Sequence, residues 1–317
     1  MKRVMGMGTA AVVVIVLATM PFVGVSSFWI TFGLQLLIWV ILAVSWNLFS
    51  GFGGYPSFGH GVFYGAGIYT TAVLVARFNL PILLPIALSG IVAAGIAFVV
   101  GLAIFTSPRF RGDIFGLVTL ALTFVVATVV ANTPAIDGGS GVFARGGEGD
   151  LLGGGPDGLY LLALIIAVVT VAAAWGIARS RWGRALAAIR DDEHVAEGLG
   201  VPTYWYKVAT FSLSAGLAGL AGAPQALFLG YVEVGTTFAL SVPLFVIMMA
   251  ILGGMTTWYG PVIGAVAVTV LQQYLIGQGR AEVNQIILGV VLVVLILIWP
   301  QGIGGEIQRR TAARNLP

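Results

Sequence analysis

From Val4 to Ala76 the chain carries no Lys, Arg, Asp or Glu, and six further stretches are equally free of charge: 78–108, 114–136, 158–178, 208–232, 234–279 and 283–305. A bilayer-spanning helix needs about 20 predominantly apolar residues. Runs of this length and number therefore read as spans, and the sequence predicts an all-α polytopic integral membrane protein. Composition agrees. The chain is 59% hydrophobic and 9% charged, with a mean hydropathy of +1.02, against roughly 45–50% and about 25% in soluble domains. A transmembrane barrel would instead show short alternating segments with a polar lumen face.

Charges and Gly/Pro punctuation divide these stretches into about ten transmembrane helices, at 4–25, 28–50, 58–76, 82–105, 114–131, 158–178, 208–230, 237–253, 260–277 and 283–300. The first run also has the outline of a signal peptide, with Lys2 and Arg3 ahead of it and Gly24 and Ser26 as small cleavage residues. It exceeds the usual 7–15-residue signal core, which favours a retained helix. With both termini cytoplasmic, twelve Lys/Arg fall inside and only Arg77, Arg145 and Arg280 outside. The acids divide six and six, so the asymmetry belongs to the basic residues alone.

Several chemistries are excluded by residue supply. Zero cysteines remove disulfides, thiolate metal sites and cysteine nucleophiles. The two histidines, His60 and His194, are far apart and form no sequence cluster for a metal. Neither Lys2 nor Lys207 ends a G-x-x-x-x-G-K-[ST] run, so the chain has no phosphate-binding loop of its own. The net charge of +3 reflects membrane-flanking arginines and gives no reason to expect nucleic acid as a partner. Acid–base catalysis in the bilayer lacks a carboxylate or histidine cluster, and ion-coupled transporters usually carry charge inside their spans. Here Arg77, Asp113, Glu233 and Glu282 stand only near span ends. A Na⁺-coupled carrier using backbone carbonyls and a passive channel remain as rival readings.

Two connections stand out. The segment 132–157 holds Gly138-Gly139-Ser140-Gly141 and Gly153-Gly154-Gly155 among Asp137, Glu148, Asp150 and Asp157. It is placed outside, either as a solvated loop or as a docking surface. The cytoplasmic loop 179–207 contains RSRWGRALAAIRDDEHVAEGLGVP, too dense in charge to cross a membrane yet interrupted by Leu186, Ile189, Val195, Ala196 and Leu199. Asp191 or Asp192 can cap a short helix there, with Glu193 and Glu197 adding negative charge. Gly198 and Gly200 can end it, and Pro202 prevents continuation. Such a helix is marginal alone in water. The apolar Val195, Ala196 and Leu199 predict a packing partner.

The stretch FSGFGGYPSFGHGVFYGAG at 49–67 is the main interruption between apolar spans. Irregular backbone at membrane depth is tolerated only inside protein or along a water-filled cavity, so 51–59 is read as a break beside a pathway. Gly61 and Gly65 are four apart and fit close helix packing equally well. Polar residues that could line the path are Asn47, Ser57, Gly59, His60, Thr119, Thr123 and Gln225, of which Thr119 and Thr123 share a helix face. Each can also serve as an ordinary interhelical hydrogen-bonding group, and a lone His is more often a structural donor.

The loop at 179–202, together with SFGHGVFYGAGIYTTA at 57–72, RGDIFGLVTLAL at 111–122, ILGGMTTWYGPVIGA at 251–265 and PQGIGG at 300–305, resembles the ABC importer permeases of the branched-chain amino-acid (LivM-type) family. These stretches run in order through nearly the whole chain. The segment after Asn132 departs from the family pattern, with Asp137-Gly138-Gly139 where a Thr-Gly-Gly stretch is common. The resemblance implies a single transmembrane permease domain over 1–317 in a prokaryotic inner membrane, working with a homologous second permease, two cytoplasmic ATPase subunits and an external substrate-binding protein. ATP and Mg would be bound by the ATPases, and this chain would hold no cofactor. Residues 191–200, from Asp191 to Gly200, would be the ATPase-coupling segment. The cargo implied is a branched-chain or related amino acid, with urea or a short amide as the alternative within the family. An uncharged path suits a zwitterion, which fixed charge would hold too tightly for release.

Overall fold

The structure, a computed structural model, describes residues 12–78, 80, 82–107, 110–144, 155–277, 289, 290, 294 and 302–305. Apolar surroundings oblige each crossing segment to satisfy its backbone internally, and these residues accordingly form helices. A short apolar helix, α1 (Val12–Val23), is followed by α2 (Ser27–Gly51), α3 (His60–Phe78), α4 (Leu83–Ile104), α5 (Asp113–Asn132) and α6 (Gly155–Arg179). Two helices outside the spans come next, α7 (Arg181–Asp191) and α8 (Glu193–Gly198). They lead into α9 (Thr203–Leu229), α10 (Val234–Thr237), α11 (Ser241–Gly253) and α12 (Gly260–Gly277). Among the described residues, eight helices are long and apolar enough to cross a membrane, with α10 and α11 counting as one span, Val234–Gly253. The proposed span 4–25 is described only from Val12. Most of 283–300 lies outside the described residues.

Helix α9 is the axis of the bundle, packed on α2, α3, α4 and α6. Its contact faces are built from small residues: Ala215, Ala218, Ala221, Ala223 and Ala226 are all fully buried. Small side chains let helix backbones approach where lipid offers no hydrophobic drive to associate. At Gly222 a Cβ would stand 2.5 Å from the Ile68 nitrogen and 2.7 Å from the Tyr64 oxygen. The α11–α12 hairpin uses the same device. A Cβ on Gly264 would meet the Met249 carbonyl at 1.8 Å, and one on Gly304 the Gly253 carbonyl at 2.6 Å. The glycines of the 251–265 and 300–305 stretches are thus backbone-contact points. Gly65 behaves likewise against the Phe238 ring, which favours the packing reading for 60–67.

The sequence predicts one loop with a single short helix over 179–207. The segment contains two, and α9 starts at Thr203 rather than near 208. Ser180 caps α7 by accepting from the Trp182 and Gly183 N–H groups, while Ala185, Leu186 and Ile189 turn one face inward. At the opposite end of the bundle, 133–144 folds back as turns and a strand, β1 (Val142–Phe143), paired antiparallel with β2 (Tyr231–Val232). Asp137 is buried there, accepting from the Tyr69 hydroxyl at 2.5 Å and the Gly141 N–H at 2.6 Å. The described part of the 132–157 segment is therefore bonded to the helices and strand beside it.

Candidate functional site

The chain between α2 and α3 departs from regular helix in steps. Asn47–Gly51 forms a π-helical turn, and irregular backbone follows from Gly54 to Gly59. Such π segments are rare and frequent at functional sites. Around this break the candidate path residues are all buried and mostly bonded between elements. The Asn47 amide donates to the Thr257 carbonyl at 3.1 Å. His60 Nε2 and Ser45 Oγ are 2.9 Å apart, and Ser214 donates to the Ser45 carbonyl at 2.6 Å. Thr119 Oγ1 accepts from the Phe58 N–H at 3.1 Å, and Gly59 presses so closely on Thr119 that a Cβ would lie 2.5 Å from its carbonyl. Thr123 follows one turn along and donates to the Thr119 carbonyl at 3.4 Å. Asn47 Oδ1 and Ser57 Oγ are buried without a hydrogen-bond partner among the described residues.

Gln225 does not join this group. It accepts from Gln35, a residue absent from the sequence reading, at 3.2 Å. From Ser214 to Gln225 is eleven residues along α9 (225 − 214), about 16 Å at 1.5 Å per residue. The path candidates therefore occupy two levels of the bundle. An apolar cleft of about 510 Å³ between α3, α4 and α5, lined among others by Ala66, Val73, Leu88, Val126 and Ile136, contains none of them.

The other predicted site is α8. Asp192, not Asp191, is its cap, accepting from the N–H groups of His194 at 2.9 Å and Val195 at 3.1 Å. Asp191 lies exposed beside Arg190, and Glu197 accepts from the Thr203 hydroxyl at 2.6 Å. The helix ends at Gly198, with Gly200 in the left-handed region at φ 82° beyond it. Val195 and Leu199 are 58% and 78% exposed. Ala196, read from sequence as facing a partner, is instead turned into the chain's own core. Val195 and Leu199, four apart, share the outward side, while Glu193 and Ala196, three apart, share the inward one.

Glu193, expected from sequence to add negative charge near the cap within the coupling segment, is the other inward residue of α8. Its carboxylate meets three elements. Oε1 accepts from the Lys207 ammonium at the start of α9, and Oε2 accepts from the Tyr55 hydroxyl in the α2–α3 break. Arg111 Nε, from the α4–α5 connection, stands 3.0 Å from Oε2. That last approach is a charge contact, since the N–H is not aimed well enough to count as a hydrogen bond. Burial pushes the Glu193 carboxyl up, but the hydrogen bonds from Lys207 and Tyr55 and the nearby positive charges outweigh it. The net result lies below the ordinary carboxylate range. For the Tyr55 hydroxyl, burial and the adjoining carboxylate act together and push it up. Lys207 Nζ also lies 5.4 Å from the Tyr55 ring and 5.3 Å from the Phe105 ring. Both rings belong to a buried aromatic knot with Phe49, Phe115 and Phe211. One of only two lysines, at the very edge of an apolar run, was the sequence signal for this cluster.

Residues 28–296 match the family described as branched-chain amino acid transport system / permease component. The chain belongs to this family. It is 30% identical to the high-affinity branched-chain amino acid transport system permease protein LivM of Salmonella typhimurium, over 84% of this chain and 68% of that one. LivM of Escherichia coli is 29% identical with the same coverage. The autoinducer 2 import system permease protein LsrC of Salmonella typhi is 28% identical over 38% of this chain and 35% of its own. No solved structure gives a significant match. The chain is thus a transport permease subunit and a multi-pass protein of the prokaryotic inner membrane. Membership in a family of ABC importer permeases implies ATP-hydrolysing and substrate-binding partner proteins, with hydrolysis on separate subunits.

Proposed function

We propose that this permease forms half of the membrane pathway of an ATP-driven importer for branched-chain or related amino acids. The other half is a homologous permease. Two ATPase subunits that bind ATP and Mg dock on the cytoplasmic side, and a binding protein delivers cargo from outside. The observation that carries this reading is α8, a capped helix outside the spans that presents Val195 and Leu199 to solvent in a chain of this family. ATP-driven association of the ATPases would move α8 and change access to the path. The LivM relatives, named for branched-chain amino acid transport, support the cargo. So does a polar cluster at the break made of hydroxyls, one amide and a single imidazole, which would grip a zwitterion weakly.

The test is reconstitution in proteoliposomes, alone and with copurified partners. Alone, the chain neither hydrolyses ATP nor concentrates substrate. With its partners it accumulates labelled leucine in an ATP-dependent manner, and isoleucine and valine compete. ATPase activity of the verified isolated chain would sink the assignment. Competition by urea or acetamide, but not by leucine, would replace the cargo.

A further inference from the structure

We propose that Glu193 is a positioning residue that latches α8 to the transport machinery, so that movement of the docking helix reaches the α2–α3 break and the α4–α5 connection. The inference rests on α8 being the ATPase-docking element. Only Glu193 and Ala196 of α8 face inward, and Ala196 is too small to grip anything at a distance. Among the described residues, Glu193 is the α8 side chain bonded to the break, through Tyr55, and beside the α4–α5 connection, through Arg111. The other ties of α8 run to its neighbours in sequence: the Asp192 N–H of its cap to the Ala188 carbonyl, the Thr203 hydroxyl to Glu197, and the Val201 N–H to the Ala196 carbonyl.

The choice of chemistry supports a directional role. A buried ion pair is often no more stabilising than well-packed apolar residues, because desolvation offsets its attraction. An apolar contact between α8 and the aromatic knot could slide, whereas a carboxylate held by Lys207 and Tyr55 fixes one register. Closely packed side chains transmit displacement instead of absorbing it. Tyr55 extends the link into the knot of Phe49, Phe105 and Phe115, and Phe49 sits in the π turn two residues after Asn47. The misaligned Arg111 contact, on a side chain 31% exposed, is the loosest of the three and the one that gives way as the elements separate.

The experiment uses the complete transporter in proteoliposomes and measures three quantities together: copurified ATPase, ATP hydrolysis and leucine uptake. Glu193→Gln keeps size and loses charge. Tyr55→Phe removes one hydroxyl and leaves its ring in the knot, so it folds even if the first variant does not. Leu199→Asp serves as the docking control. For Glu193→Gln the expected result is ATPase association within twofold of wild type, with ATP consumed per leucine transported raised at least tenfold. Tyr55→Phe raises that ratio about threefold. Leu199→Asp loses association instead. If Leu199→Asp loses association while Glu193→Gln and Tyr55→Phe keep the wild-type ratio, the latch is overturned and docking stands. If Leu199→Asp keeps both association and uptake, the docking reading itself fails.

Discussion

A single carboxylate, Glu193, collects a lysine, a tyrosine and an arginine from three parts of the chain, and its titration has a visible consequence. Its folded pKa lies below the ordinary value of 4.5, so the unfolded state takes up a proton first as the solution is acidified. The stability it contributes is complete above about pH 4.5 and is lost as the pH falls through the lower folded value. Thermal unfolding of the detergent-solubilised protein should therefore show the widest gap between wild type and Glu193→Gln above that pH, closing in acid. A gap that stays constant with pH would remove the folded-state carboxylate from the account. Arg179 marks the contrasting kind of cation. Its guanidinium lies 4.5 Å from the Trp175 ring centre with Arg181 and Arg184 close in sequence, so Arg179→Gln should leave uptake at half of wild type or better.

Elements carry the next set of consequences. Helix α8 depends on its cap, because six residues leave most of its N–H groups without an intrahelical partner. Asp192→Ala should weaken it by about 1 kcal/mol, read as faster hydrogen exchange at 193–198, while Asp192→Asn keeps protection near wild type. Leu199→Asp acts on the same element without touching the fold, since that side chain is 78% exposed. A charge in an apolar docking surface costs several kcal/mol, so copurified ATPase should fall at least tenfold at matched membrane expression. The α3–α9 contact is the opposite case. Gly222→Val inserts side-chain atoms against backbone that cannot yield, an overpacking worth about 1–3 kcal/mol. A lower unfolding temperature in detergent measures it.

At the scale of the whole molecule, the alternation of spans puts Tyr55, Arg111, α8 and Lys207 at one end and Asp137 with the β1–β2 pair at the other. The chain contains no cysteine, which makes the two ends separable by labelling. A cysteine at Ser140 should react with an impermeant reagent from outside intact cells, and one at Arg190 only after the membrane is opened. Both residues are exposed. Reaction of both from outside would invert the proposed orientation.

Charge-free runs long enough to cross a bilayer determined the helical membrane class directly, because lipid leaves backbone polar groups no other solution. The same logic located eight of the spans within a few residues, and the DDE run with its following glycines marked α8 and its end. These are local properties, written in residues close together in the chain. That Ala196 turns inward, and that Gln225 pairs with Gln35 instead of joining His60, depend on helices distant in sequence. So does the meeting of Glu193 with Tyr55, 138 residues away, and with Arg111 and Lys207. No periodicity encodes such a meeting. It exists because α9, rich in buried alanine and glycine between Ala215 and Ala226, packs closely on α2, α3, α4 and α6 and so brings those side chains to one point.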